Sequence, residues 1–206
     1  MIDRRIFQEM LASGGSVHFR PIPSFDKDDP TGSDHFEVSI YCAEARRILG
    51  HDTCQRLICG GSSILESERL TEICSYERLK KVSKDYWSAD HWLIKVVTAV
   101  LSTGSPIPHE GNILNFASNF YSFFLSWLSA TLSWGIEVSF RIDRNMGTVI
   151  VEFLLEAGSE EIRERARISG MLLNLGKESV IAAQESLTTA TLHFIDNCTR
   201  HRIDTF

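Results

Sequence analysis

The stretch Gly135–Gly158, GIEVSFRIDRNMGTVIVEFLLEAG, constrains the fold more than any other. Two runs of alternating apolar and polar residues flank Arg144-Asn145-Met146-Gly147. Period-two alternation places one set of side chains on each face of a strand, and a short turn with Asn and Gly joins two such strands into a hairpin. An antiparallel pair is therefore expected here. The stretch HFEVSIY adds a further strand, with Phe36, Val38 and Ile40 alternating against polar neighbours. The tail, residues 177–206, alternates weakly through TATLHFID and reads as a last strand.

Helical signals lie between these strands. Residues 1–12 suit a short helix ended by Ser13-Gly14-Gly15. Residues 13–34 hold three of the five prolines and the acidic run Asp26-Lys27-Asp28-Asp29, and read as a loop or arm. From Glu66 to Lys84, Ile73, Tyr76 and Leu79 fall at loosely helical spacing with charges between them. Ser88 and Asp90 are N-cap types ahead of HWLIKVVTAVLS, whose Trp92, Val96, Ala99 and Val100 share a face. Gly104 and two prolines stop that helix. Ser159 before Glu160 and Glu161 reads as a helix start, and acids followed by bases in EEIRERAR complement a helix dipole. The aromatic run NFASNFYSFFLSWLS fits a helix or a strand. The expected fold is a single α+β domain, a central antiparallel sheet packed against helices. An N-terminal arm, 1–34, would precede the domain proper, 35–206.

Composition narrows the function. The chain of 206 residues is 43% hydrophobic and 23% charged, as soluble globular proteins are, and its net charge of -6 argues against a dedicated nucleic-acid binder. Five cysteines, an odd number with no Cys-x-x-Cys, point to reduced thiols rather than to disulfides or structural zinc. No signal peptide stands at the N-terminus, where Gln8 and Glu9 break the apolar run. The run Phe120–Ile136 is interrupted by serines and too short to span a bilayer. Phosphate-loop, dinucleotide, nucleophile-elbow and zinc-protease motifs are all absent. Cys59-Gly60-Gly61-Ser62-Ser63 reads as a turn, since no lysine follows in phosphate-loop register. A Cys59–His91 nucleophile pair stays open on sequence alone, but no enzyme and no cofactor are expected.

Two stretches suggest contact with other molecules. RLKKVSKDYW, Arg78–Trp87, offers Lys80, Lys81 and Lys84 to an anionic surface, phosphate or membrane. It reads equally as a solvated helix face with Tyr86 and Trp87 turned inward. Ser105-Pro106-Ile107-Pro108 follows the Trp92 helix as a loop stiffened by two prolines. Its Ile107 is either an apolar tip or a residue folded onto the core.

HWLIKVVTAVLSTGSPIP followed by NFYSFFLSW resembles the matrix proteins of rhabdoviruses, the lyssavirus type above all. There an apolar helix carrying Lys-Val-Val ends in Gly-Ser-Pro-apolar-Pro, and an aromatic segment ending in Trp comes next. GTVIVEFLLEAGSEEIRERARISGMLLNLGKES resembles the vesiculovirus end of the same family. Together the two stretches cover roughly residues 88–180. The resemblance implies a structural viral protein that self-associates beneath the envelope, binds the nucleocapsid and anionic membrane, drives budding and lowers viral RNA synthesis. It implies a place in the virion and in the host cytoplasm, nucleus or internal membranes, with contacts to host proteins. On that basis Ser105, Pro106, Ile107 and Pro108 would serve self-association and membrane contact. The sequence departs from the family in having no lysine-rich N-terminal arm and no intact Pro-Pro-x-Tyr or Pro-Thr/Ser-Ala-Pro motif. The reading from a different class is a small intracellular effector that binds one host protein through an apolar patch.

Overall fold

A seven-stranded antiparallel sheet organises the computed structural model, which describes residues 4–22, 35–59, 63–66, 68–75, 123–143, 148–157, 159–168 and 177–204. In chain order the elements are α1 (Arg4–Ala12), β1 (Ser16–Pro21), β2 (His35–Tyr41), α2 (Ala45–Leu49), α3 (His51–Cys59), β3 (Ser63–Glu66) and β4 (Arg69–Ser75). Then come α4 (123–133), β5 (Glu137–Asp143), β6 (Thr148–Ala157), β7 (Glu160–Ile168) and α5 (Lys177–Asp204). The spatial order of strands is β3-β4-β2-β1-β5-β6-β7, every neighbouring pair antiparallel. The chain is thus α+β, with helices packed against one antiparallel sheet.

Alternation decides which side of each strand is buried. Val17 and Phe19 of β1, Phe36, Val38 and Ile40 of β2, Val138 and Phe140 of β5 and Val149, Val151 and Phe153 of β6 are all almost fully buried. Cross-strand pairing brings them onto one face: Phe19 lies opposite Val38 and Val138, and Phe140 opposite Val151. Phe19 sits at the centre of an aromatic group, its ring centroid 5.6 Å from Phe124, 5.9 Å from Phe140 and 6.4 Å from Phe36. Helix α5 lays Ala183, Leu187, Thr191, Phe194 and Cys198 on this face, a stripe at spacings of three and four. Phe194 stacks on Phe153 at 5.3 Å. Where α4 meets α5, the buried Trp127 Nε1 donates to Thr191 Oγ1 at 2.8 Å, and Thr191 Oγ1 donates to the Leu187 carbonyl at 2.8 Å. The indole N–H is therefore satisfied inside the core.

The helix stop at Ser13-Gly14-Gly15 works through both glycines. Gly14 has φ 92°, a left-handed conformation that favours glycine. A Cβ on Gly15 would lie 2.7 Å from the Met10 carbonyl oxygen and 2.9 Å from that of Tyr41, so only glycine lets α1 turn directly into the sheet.

Four sequence expectations are corrected. Residues 16–21, expected in a loop or arm, form β1 near the middle of the sheet, between β2 and β5. The arm proposed for 1–34 therefore does not end where the sheet begins. Its prolines hid the alternation of Val17 and Phe19, because Pro21 closes the strand rather than interrupting it. Glu66 and Arg69–Ser75, expected to be helical, lie in β3 and β4, and Leu65 and Leu70 are buried opposite one another. EEIRERAR, expected as a helix, is β7: Ile162, Ala166 and Ile168 turn toward the core while Arg163, Arg165 and Arg167 turn away. Nine residue pairs with β6 outweigh the helix-like charge order. TATLHFID, expected as a strand, lies in α5, where Leu192 is exposed and Phe194 buried according to helical rather than alternating period.

The aromatic run that suited either state is helical over 123–133. The antiparallel pair expected on either side of residues 144–147, β5 and β6, and the strand at Phe36, Val38 and Ile40 are present; the turn itself lies outside the described residues. Residues 88–104, expected as a buried helix, lie outside the described residues. Among the described residues no helix is long and apolar enough to cross a membrane. Cys42, Cys54 and Cys198 are free and buried, and burial pushes the Cys42 thiol above its ordinary value.

Candidate functional site

The face of the sheet opposite the described helices carries mostly polar side chains, which stand in three cross-strand rows. The first runs Arg69–Tyr41–Ser16–Arg141–Ile150–Arg167. The second runs Thr71–Ser39–His18–Ser139–Glu152–Arg165. The third joins Ile73, Glu37 and Arg20 across β4, β2 and β1, continues through the Arg20–Glu137 ion pair, and ends at Leu154 and Arg163. The buried apolar residues of the described helices belong to one core cluster with the inward residues of the strands. Alternation within each strand sends most of its apolar residues to that core and leaves this face mainly to arginine, carboxylate and hydroxyl groups, with Ile73, Ile150 and Leu154 among them.

Its centre is tightly bonded. Arg69 pairs with the Glu37 carboxylate, and its Nε donates to Ser39 Oγ at 3.0 Å. Ser39 Oγ also donates to Glu37 Oε1 at 3.0 Å and lies 2.9 Å from Thr71 Oγ1. The guanidinium carbon of Arg69 stands 5.5 Å from the centre of the Tyr41 ring, a cation–π arrangement. Arg20 and Glu137 approach to 2.8 Å as an ion pair without a well-aligned hydrogen bond. Arg69, Glu37, Ser39 and Thr71 thus satisfy one another and tie β4 to β2.

His18 lies in this centre, edge-on to Tyr41 with ring centroids 4.6 Å apart and Nε2 2.7 Å from Ser16 Oγ. Burial first, then the positive charge of Arg20, lowers its pKa from 6.5 to about 4. A serine beside a histidine has the form of a nucleophile and its base. A base this weak, however, takes a proton poorly near neutral pH, so the pair suits structure rather than catalysis. The shift fixes a pH response. Between about 6.5 and 4 the unfolded chain binds a proton that the folded chain does not, so stability falls as pH drops through that window and is flat above it. The loss reaches at most about 3 kcal/mol. Denaturant titrations at a series of pH values should show this slope, and His18→Gln should remove most of it.

The β5–β6–β7 end of the face differs from the centre. Arg163, Arg165 and Arg167 project from β7 with side chains 45%, 56% and 58% exposed. Arg163 Nη1 bonds Glu152 Oε1 at 3.0 Å and its Nη2 bonds Glu161 Oε1 at 2.7 Å. Arg165 also bonds Glu152, and Arg167 Nη2 reaches Asp143 Oδ2 at 3.2 Å. Arg141 is exposed nearby and forms no ion pair with a described residue. Four guanidinium groups thus stand among four carboxylates, Asp143, Glu152, Glu156 and Glu161, so this end of the face is locally balanced on a chain of net charge -6. Planar, exposed guanidinium groups suit carboxylate and phosphate partners.

Behind β7, on its helix side, Glu164 ties the strand to α5. Its carboxylate meets His193 Nδ1 at 2.6 Å and accepts from Asn197 Nδ2 at 2.6 Å. Exposed apolar side chains are scattered over other elements: Ile73 on β4, Trp134 after α4, Ile181 and Leu192 on α5.

Ser105, Pro106, Ile107 and Pro108, the expected self-association loop, and Lys80, Lys81 and Lys84, the expected anionic contact, lie outside the described residues. So does His91 of the Cys59–His91 pair. Among the described residues no group of three or more His, Cys, Asp or Glu is placed to hold a metal ion. The sequence reading missed the arginine rows because it took EEIRERAR as a helix. The signal that would have found them is Arg163, Arg165 and Arg167 at every second position.

No family model matches the sequence, and neither a curated protein nor a solved structure matches it.

Proposed function

We propose that this chain is a self-associating structural protein of the rhabdovirus matrix type, joining a viral nucleocapsid to an anionic membrane and acting through surfaces rather than through catalysis. The observation that carries this reading is the set of exposed arginines at the β5–β6–β7 end of the sheet face turned away from the described helices. An exposed array of guanidinium groups on a net acidic chain is suited to docking extended anionic surfaces. The sequence resemblance over roughly residues 88–180 gives the class of protein. The Ser105–Pro108 loop and Lys80, Lys81 and Lys84 are further proposed contacts.

Flotation with lipid vesicles tests the reading. The full chain should float with vesicles containing phosphatidylserine, sink with neutral phosphatidylcholine vesicles, and lose most binding as salt rises past the point where the Debye length falls to about 3 Å, near 1 M. Equal binding to neutral and anionic vesicles, or none to either, would contradict it.

A further inference from the structure

We propose that the outer face of α5 is a dimerisation surface, packing antiparallel on α5 of a second copy about a two-fold axis beside Leu192. The proposal rests on the self-association of the preceding reading and names the surface that performs it.

Three observations carry it. First, α5 presents apolar side chains to solvent. Leu192 is 62% exposed and Ile181 45% exposed. Eleven residues separate them, about three helical turns, so both stand on one face, with the exposed Thr188 between them. The helix meets the core through a different stripe, Ala183, Leu187, Thr191, Phe194 and Cys198. Second, the outer face has the composition of an interface. Ser186–Ile195 contains no Asp, Glu, Lys or Arg, and the exposed charges Glu185, Asp196 and Arg200 stand at its two ends. A centre depleted of charge inside a charged rim marks a protein interface, whereas a helix face kept in water ordinarily carries charge along its length. Third, the rim is complementary to itself under two-fold pairing. Glu185 lies seven residues before Leu192 and Arg200 eight after. An antiparallel pair centred on Leu192 therefore sets Leu192 against Leu192 of the second copy, Thr188 against Ile195, and Glu185 against Arg200. Asp196, the other exposed charge of this face, comes opposite the hydroxyls of Thr188 and Thr189, so no like charges meet. Arg200 bonds Asp196 within its own helix at 2.5 Å, which holds the guanidinium at the rim where Glu185 of the second copy arrives. One helix pair buries less than the roughly 800 Å² per partner of a standard stable complex, so the dimer is reversible. It places both copies of α5 between the two sheets. The arginines of β7 then point outward from both copies, and one dimer can meet two anionic surfaces at once.

Sedimentation and cysteine cross-linking test this, with circular dichroism to confirm folding. The unaltered chain should dimerise. Leu192→Glu, a change at an exposed position, should weaken the dimer at least about tenfold. Leu192→Cys should form a disulfide-linked dimer under mild oxidation, because the two copies of that residue meet at the axis. Ile181→Cys should not, since its two copies lie about 33 Å apart along the helices. Glu185→Cys and Arg200→Cys should cross-link when the two variants are mixed, and neither should do so alone. The unaltered chain under the same oxidation is the reference for its own cysteines. Suppose the chain dimerises but Leu192→Glu changes nothing, Ile181→Cys links as fast as Leu192→Cys, or the mixed variants fail to link. Any one of these results overturns the α5 pairing while self-association stands. An unaltered chain that stays monomeric at its highest soluble concentration overturns both.

Discussion

Truncation of Phe19 to alanine should cost about 3–5 kcal/mol of folding stability, measured as the shift in denaturant midpoint. Phe19 is 1% exposed, and its ring touches the aromatic groups of β2, β5 and α4 together. Removing it deletes a large transfer term and leaves a cavity that four elements would have to collapse to fill. Against the 5–15 kcal/mol total typical of a folded domain, the loss is enough to leave much of the chain unfolded at body temperature. The result carries weight because it depends on β1 being a central strand. In a mobile arm the same substitution would cost well under 1 kcal/mol.

Reversing Arg141, Arg165 and Arg167 together to glutamate should reduce binding to anionic vesicles by at least tenfold, with little change in helix and strand content. A basic side chain near an anionic leaflet contributes about 1 kcal/mol, and reversal replaces attraction with repulsion at three places. Each reversal changes the charge by two, so the chain moves from -6 to -12. A control with the same change on other surfaces, Arg46→Glu, Arg47→Glu and Arg200→Glu, separates a local array from bulk charge. These three residues are also exposed, on α2 and α5. The array reading requires the sheet-face variant to lose clearly more binding than the control. Equal losses would mean that only net charge matters.

The parts of the fold that could be read directly from the residues were those whose burial follows strict alternation. Phe36, Val38 and Ile40 in β2 and the runs around residues 144–147 bury one face and leave the other polar, so local pattern and tertiary environment agree. Elements whose local pattern and final environment diverge were read differently. In β7 the inward positions include Glu164, a charge made tolerable only by His193 and Asn197 from a helix far along the chain. In α5 a buried threonine, Thr191, takes a place that an apolar residue usually marks, because Trp127 supplies its partner. Residues 66–75 bury Leu70 while leaving Ile73 exposed, and that blurs the period. The candidate surface shared this difficulty. Its arginines come from β5 and β7, and its anchored centre from β1, β2 and β4. Only strand pairing brings them into rows.

Sedimentation velocity of the unaltered full chain over a wide concentration range tests the central claim most directly. A structural protein that works by self-association should sediment as a monomer when dilute and pass reversibly to dimers and larger species as concentration rises. A single monomeric species at every concentration, with anionic vesicles present or absent, would contradict the account.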